Sequence, residues 1–298
     1  MAAVLQKALN EYQVKELVEG NKDRVSGFVL NAVDVAPVKD PALLFQAHGL
    51  GFAGSPWRED AAYLDVLRFA APPTVYVHAP TAPDFVDRPP FAGTGFAAWD
   101  GGSAPLYFLD EVRLPPGAEL WRIHRDRPEE LIAVYADVAS GWTALPDNGF
   151  GAPQQNTPAS VMGWTAIWNG YRLSADLVDG TSSVVLAASS EPPADAGGFE
   201  KTSRGAWRKK VSINEVTDVF ELLGKVTYQG APFRLVEVGQ DAGRRLFRLF
   251  YTGHNADQAE AMGLTKSDAG VYWTVVDEST VENVEFLQNR MAGLPGAD

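Results

Sequence analysis

The side chains able to do acid–base or metal chemistry are few in this sequence. Four histidines, His48, His78, His124 and His254, are dispersed along the chain. None lies three or four positions from another, and no HExxH or His-x-His occurs, so a His-based metal site would have to assemble across the fold. Scattered, capped histidines are the simpler expectation, and neither a metal nor a cofactor is expected. The absence of cysteine removes disulfides, thiolate ligands and Cys nucleophiles. GxSxG, GxGxxG and P-loop patterns are missing; Gly93-Thr94-Gly95 and Gly101-Gly102 are too short to present a row of amides to phosphate. Carboxylates occur side by side at Asp110-Glu111, Glu129-Glu130 and Asp277-Glu278. Neighbours on a strand point to opposite faces, so these pairs are expected to be solvated or to cap turns rather than to work together.

One stretch carries more information. Leu106–Ile123 (LYFLDEVRLPPGAELWRI) reads as a strand ending in an acidic pair, a Pro-Pro-Gly turn and a second strand. It resembles the late strands of ADP-ribosyltransferases. That resemblance implies a strand arginine holding NAD, a Ser/Thr-rich strand and a glutamate facing an oxocarbenium-like transition state. Arg68, Thr94 and Glu111 would take those roles. No Ser-Thr-Ser motif is present, so an ordinary strand–turn–strand competes with this reading.

A second candidate is the aromatic loop within Pro80–Gly102. Phe85, Phe91, Phe96 and Trp99 lie near Asp84, Asp87 and Arg88. Aromatic and Arg side chains are the usual anchors of protein interfaces. The alternative is that these rings close the core over a sheet edge. The basic cluster Arg204–Lys210, with Trp207 inside it, is expected to be the solvated face of a strand.

The formal net charge of −13 repels phosphate backbones and anionic lipid, so neither nucleic acid nor a membrane surface is an expected partner. A basic protein partner is favoured. No run approaches the ~20 apolar residues that span a bilayer. The N-terminal segment lacks a basic region followed by an apolar one, so a cytoplasmic location is expected.

The elements that must position these residues follow from periodicity. Residues 2–19 are expected to form one amphipathic helix, with Val4, Leu5, Leu9, Tyr12, Leu17 and Val18 on its apolar face. Ser26–Val35 reads as a strand, and Asp40-Pro41 starts a helix running to Gly49. From Tyr63 to Tyr135, apolar runs at roughly ten-residue spacing read as strands. Pro146–Ser160, rich in Pro, Gly, Asn and Gln, reads as a linker. The expected architecture is therefore α+β: an N-terminal α+β domain (1–147), a linker (148–160) and a β-rich domain (161–298).

The β-rich half repeats itself. Ala166-x-Trp168-x-Gly170 matches Val226-x-Tyr228-x-Gly230, and Gly198–Val219 aligns without gaps on Gly263–Val284. The shared positions are Gly198/Gly263, Lys201/Lys266, Gly205/Gly270, Val216/Val281 and Val219/Val284. This predicts a tandem duplication of about 60 residues, with Trp168/Tyr228 and Trp207/Tyr272 in equivalent buried positions.

The repeated unit, with Gly-Phe-x-Lys…Gly-x-Trp and an x-Val-x-x-Val tail, resembles modules of immunity proteins from actinobacterial toxin–immunity loci. That resemblance implies a non-catalytic cytoplasmic inhibitor that binds a toxin domain, basic if it complements this surface. It assigns no residue roles. The competing expectation is an NAD-consuming enzyme in the N-terminal half.

Overall fold

Asn10 decides how the chain begins. A computed structural model describes residues 3–72, 77–78, 85–88, 95–146 and 148–297. In it the Asn10 side chain accepts from the Gln13 amide at 2.9 Å, and the Gln13 side chain accepts from the Asn10 amide at 3.0 Å. This capping box starts helix α1 (Glu11–Val18), and the residues ahead of it form strand β1 (Val4–Leu9). The single helix expected over 2–19 is thus a strand followed by a helix. Leu5 and Leu9 satisfy a helical period, but a short apolar run cannot distinguish helix from strand.

The first half continues through β2 (Arg24–Asn31), α2 (Ala32–Val35), α3 (Pro41–Ala47), β3 (Tyr63–Ala70), β4 (Val77–His78), β5 (Phe96–Trp99) and β6 (Gly102–Pro105). Four more strands complete it: β7 (Tyr107–Arg113), β8 (Ala118–His124), β9 (Glu130–Asp137) and β10 (Gly141–Ala144). Eight of these strands form one antiparallel sheet in the order β10-β9-β8-β3-β1-β2-β7-β4, while β5 and β6 form a separate hairpin. One face packs Leu5, Leu9, Leu67, Leu109 and Leu120 against Val14, Leu17 and Val18 of α1. The other packs Leu30, Val66 and Phe108 against Leu44 and Phe45 of α3. The sheet curls around α1 far enough that Trp142 of β10 donates its indole N–H to the Lys22 carbonyl, just before β2, at 2.7 Å.

The second half holds β11 (Met162–Trp168), β12 (Tyr171–Val178), β13 (Ser183–Ala188), β14 (Glu200–Lys201), β15 (Trp207–Ser212) and β16 (Asp218–Tyr228). It then runs through β17 (Ala231–Asp241), β18 (Arg244–Tyr251), α4 (Ala256–Ala261), β19 (Thr265–Asp268), β20 (Val271–Asp277) and β21 (Glu282–Asn289). All eleven strands belong to one sheet.

The α+β class is overturned by these elements. Among the described residues 49% are in strands against 13% in helices. The longest described helix, α1, has eight residues. Both halves are built on antiparallel sheet, and the short helices only cover its faces.

Two stretches of the second half share one topology. β11 to β16 run in the order β14-β15-β13-β12-β11-β16; β16 to β21 run β19-β20-β18-β17-β16, with β21 also on β16. Strand for strand the orders are the same, and β16 serves as the last strand of one unit and the first of the next. The local devices repeat as well. Asn169-Gly170 and Gln229-Gly230, all at positive φ, turn the first hairpin of each unit. Ser212 and Asp277 each cap a single 3-10 turn that leads into the final strand. The paired aromatics occupy equivalent strand positions with unequal burial. Trp168 and Tyr272 are buried, whereas Tyr228 and Trp207 are half-buried.

Each unit pushes the tip of one hairpin into the first half. Between β14 and β15 the tip residue Arg204 is 1% exposed and meets Asp23 at 2.8 Å. Between β19 and β20, Asp268 accepts from Lys7 at 2.6 Å, and Val271 enters the core of the first sheet. Arg204 is therefore not on a solvated strand face as expected; on the following strand, β15, Lys210 is exposed while Arg208 and Lys209 are half-buried. The region read as a linker has no regular element. It is fastened through Gln154 N–H to the Glu19 carbonyl (2.7 Å) and by Asn156 Nδ2 to the Gly20 carbonyl (3.0 Å).

Candidate functional site

Among the described strands of more than two residues, the last is the most exposed. The 3-10 turn capped by Asp277 sends the chain back antiparallel to β16, and Leu222↔Gln288, Leu223↔Leu287 and Gly224↔Phe286 become cross-strand partners. Between Lys225/Glu285 and Thr227/Glu282 the ladder advances two residues on β16 and three on β21, a bulge that holds Asn283 at φ 51°. Beyond it Arg290 clamps the end of the strand to Asp218 through two hydrogen bonds, at 2.6 and 3.1 Å.

Among the described strands, only β16 pairs with β21. Seven of its eight residues are exposed, including Val284 (43%), Phe286 (46%) and Leu287 (36%). Among the described residues no strand pairs with the backbone donors and acceptors of its outer edge, which stand beside apolar side chains, and natural proteins usually blunt or cover edges of this kind. Its chemistry is that of a template for another extended segment rather than of catalysis.

The seam between the two halves holds several buried groups with perturbed ionisation. Leu109↔Gly27 and Val112↔Val25 leave one extra residue on β7, at Asp110-Glu111. Both acids of this pair meet the second half, where alternation on a regular strand would have separated them. Asp110 is 2.8 Å from His254 Nε2 and 3.7 Å from Arg234. Arg234 also donates to the Glu111 carbonyl at 2.6 Å. Burial pushes the Glu111 carboxyl above the usual range, although Arg24, 3.8 Å away, opposes the shift. Glu111 borders a cleft of about 220 Å³ between α1 and β18–β20, which Tyr12, Arg248 and Trp273 also line. Asp110 and His254 border another of about 490 Å³ with Lys225 and Thr227.

Of the roles implied for Arg68, Thr94 and Glu111, the two whose residues are described, Arg68 and Glu111, do not come together. Arg68 and Glu111 sit on β3 and β7, with β1 and β2 between them. Leu67 lines the cleft beside Glu111, so Arg68 projects from the other face, where Gln6 (3.0 Å) and Glu129 (3.1 Å) hold it. Thr94 lies outside the described residues.

The described stretch Phe85–Arg88 of the aromatic loop makes its contacts within the chain. Phe85 stacks on His254 with centroids 5.6 Å apart and meets Phe108 at 5.3 Å. Val86 bridges to Asn255, and Arg88 pairs with Asp257 (2.7 Å) and Glu260 (2.6 Å) of α4. Asp87 is buried, and burial raises its pKa. These contacts face the second half rather than a partner. Trp99 is half-buried against the α3 side of the first sheet, while Phe96 is 59% exposed. Asp84 and Phe91 lie outside the described residues.

Sequence reasoning missed both His254 and β21. The histidine was one of four dispersed residues, and only the fold brings it to Asp110. The strand was read as the tail of a repeat, and no sequence signal told that its outer edge would be open. Among the described residues no group of three or more His, Asp or Glu could hold a metal ion, and no helix is long and apolar enough to cross a membrane. No protein-family model, no curated protein and no solved structure matches the chain.

Proposed function

We propose that this chain is a protein-binding protein whose contact surface is the outer edge of β21. The observation that carries the reading is the exposure of Val284, Phe286 and Leu287 on a strand paired along one edge alone among the described strands. A partner strand laid antiparallel on that edge would satisfy its backbone groups and cover its apolar side chains. Toxin neutralisation is a narrower form of this function, tested by whether co-expression rescues growth of cells making the cognate toxin.

The experiment is photo-crosslinking in the producing cell. A photo-reactive amino acid at position 287 should give an adduct containing a second polypeptide. The same residue at Tyr171, also exposed (38%) but on β12, serves as the control. Crosslinking at 287 no stronger than at 171 would overturn the reading.

A further inference from the structure

Strand β21 pairs along its closed edge with a strand that is its own equivalent in the first unit. β16 and β21 are the equivalent last strands of the two repeated units, and they pair antiparallel with each other. The alignment that offsets the units by 65 residues places Leu287 where the first unit has Leu222. So the last strand of the first unit has its outer edge covered by a last strand of its own kind, while the last strand of the second unit does not. An identical strand from a second molecule could cover that edge in the same antiparallel sense, in a register of its own, since the internal pair sets Leu222 against Gln288.

We propose that the occupant of the β21 edge is β21 of a second copy of this chain, paired antiparallel about a two-fold axis through Leu287; this rests on the strand-edge reading above. An antiparallel strand pair between identical chains is self-complementary and closes at two subunits, which leaves no edge to propagate. The bulge at Asn283 interrupts the N-terminal end of β21 and confines regular pairing to the stretch around Leu287. Centring on Leu287 sets Leu287 against its own copy, Phe286 against Gln288, and Glu285 against Asn289. No two carboxylates are then directly opposed, although the chain carries a net charge of −13. Val284 falls opposite Arg290, whose aliphatic stem can cover it while its guanidinium stays on Asp218.

A charge-swap test at the two-fold decides the matter. Wild-type protein at about 50 µM, tens-fold above the weak-dimer range that strand pairing implies, should scatter as twice the 32.2 kDa of one chain. Leu287→Lys and Leu287→Glu, each at an exposed position, should both scatter as monomers, because each sets like charges against each other across the axis. An equimolar mixture of the two variants should recover the dimer. A monomeric wild type, or variants that stay dimeric alone, or a mixture that stays monomeric, would each overturn the proposal. If the wild type is monomeric while position 287 still crosslinks a different polypeptide, the edge reading stands and only the second copy is excluded. If position 287 crosslinks nothing, both fall.

Discussion

Arg204 and Asp23, 181 residues apart in the chain, meet at 2.8 Å with side chains only 1% and 7% exposed. Arg204 also donates to the carbonyls of Asn156 (2.6 Å) and Val138 (2.5 Å), so one guanidinium ties together the first sheet, the connecting segment and the first repeated unit. Arg204 holds the Asp23 carboxyl below the usual range even though burial opposes it. Removing one partner of a buried pair strands the other without water. Arg204→Ala should therefore cost about 3–5 kcal/mol in urea unfolding. A loss under about 1 kcal/mol would show that the contact is dispensable.

Two glycines at nearly the same φ should respond differently to alanine. Gly170 (φ 79°) has nothing within 4 Å of an added Cβ, so Gly170→Ala should cost only the left-handed backbone penalty of roughly 1–2 kcal/mol. Gly163 (φ 78°) would place that Cβ 2.7 Å from the Arg113 guanidinium carbon. Arg113 donates to the carbonyls of Met162, Trp164 and Ala175, at 3.2, 2.6 and 2.6 Å. Displacing it should add a few kcal/mol, about 1 per hydrogen bond lost. Thermal unfolding of the two variants side by side checks the contrast.

Asp176 should make stability fall as pH rises. Its carboxyl is buried, and burial raises its pKa from 3.8 to about 7 despite Arg113 nearby. A folded-state pKa above the unfolded one means stability that is fully present below pH 3.8 and lost as pH climbs through about 7. The full effect is on the order of 4 kcal/mol. His48, held neutral by burial down to about pH 3, acts the other way, losing stability as pH falls below 6.5. The measurement is therefore a difference: the urea midpoint of Asp176→Asn should gain on the wild type between pH 4 and 7. A constant offset across that range would contradict the assignment.

The segment between the sheets should resist proteases. Besides its bonds to Glu19 and Gly20, Asn156 donates its backbone N–H to the Arg204 carbonyl at 3.0 Å. Cleavage of a segment fastened at this many points requires local opening first. Native protein should be cut slowly between Asn148 and Val161, and Arg204→Ala should speed cleavage there at least tenfold by removing the guanidinium bond to the Asn156 carbonyl. Equal rates in the two proteins would show that the segment opens independently of Arg204.

What the sequence by itself determined is local and repeated. The strand runs from Tyr63 to Tyr135, the Asp40-Pro41 helix start and the aligned glycines, caps and turns of the two units all rest on spacing within some twenty residues, where backbone conformational preference speaks directly. The tertiary structure decided everything that depends on what lies across the gap. Val4–Leu9 became a strand because Asn10 caps the helix after it and β2 and β3 lie ready on either side. Asp110 and Glu111 both reached the second half because pairing with β2 forced a bulge. Arg204, a cation inside a basic run, went inward because Asp23 and three backbone carbonyls waited there. No pattern in the sequence encodes these partners, because the cost of burying a charge or exposing a strand edge is set by neighbours that lie up to 181 residues away. The open edge of β21 is of the same kind: the repeat made the strand, and only the pairing of the other strands left it without a second neighbour among the described residues.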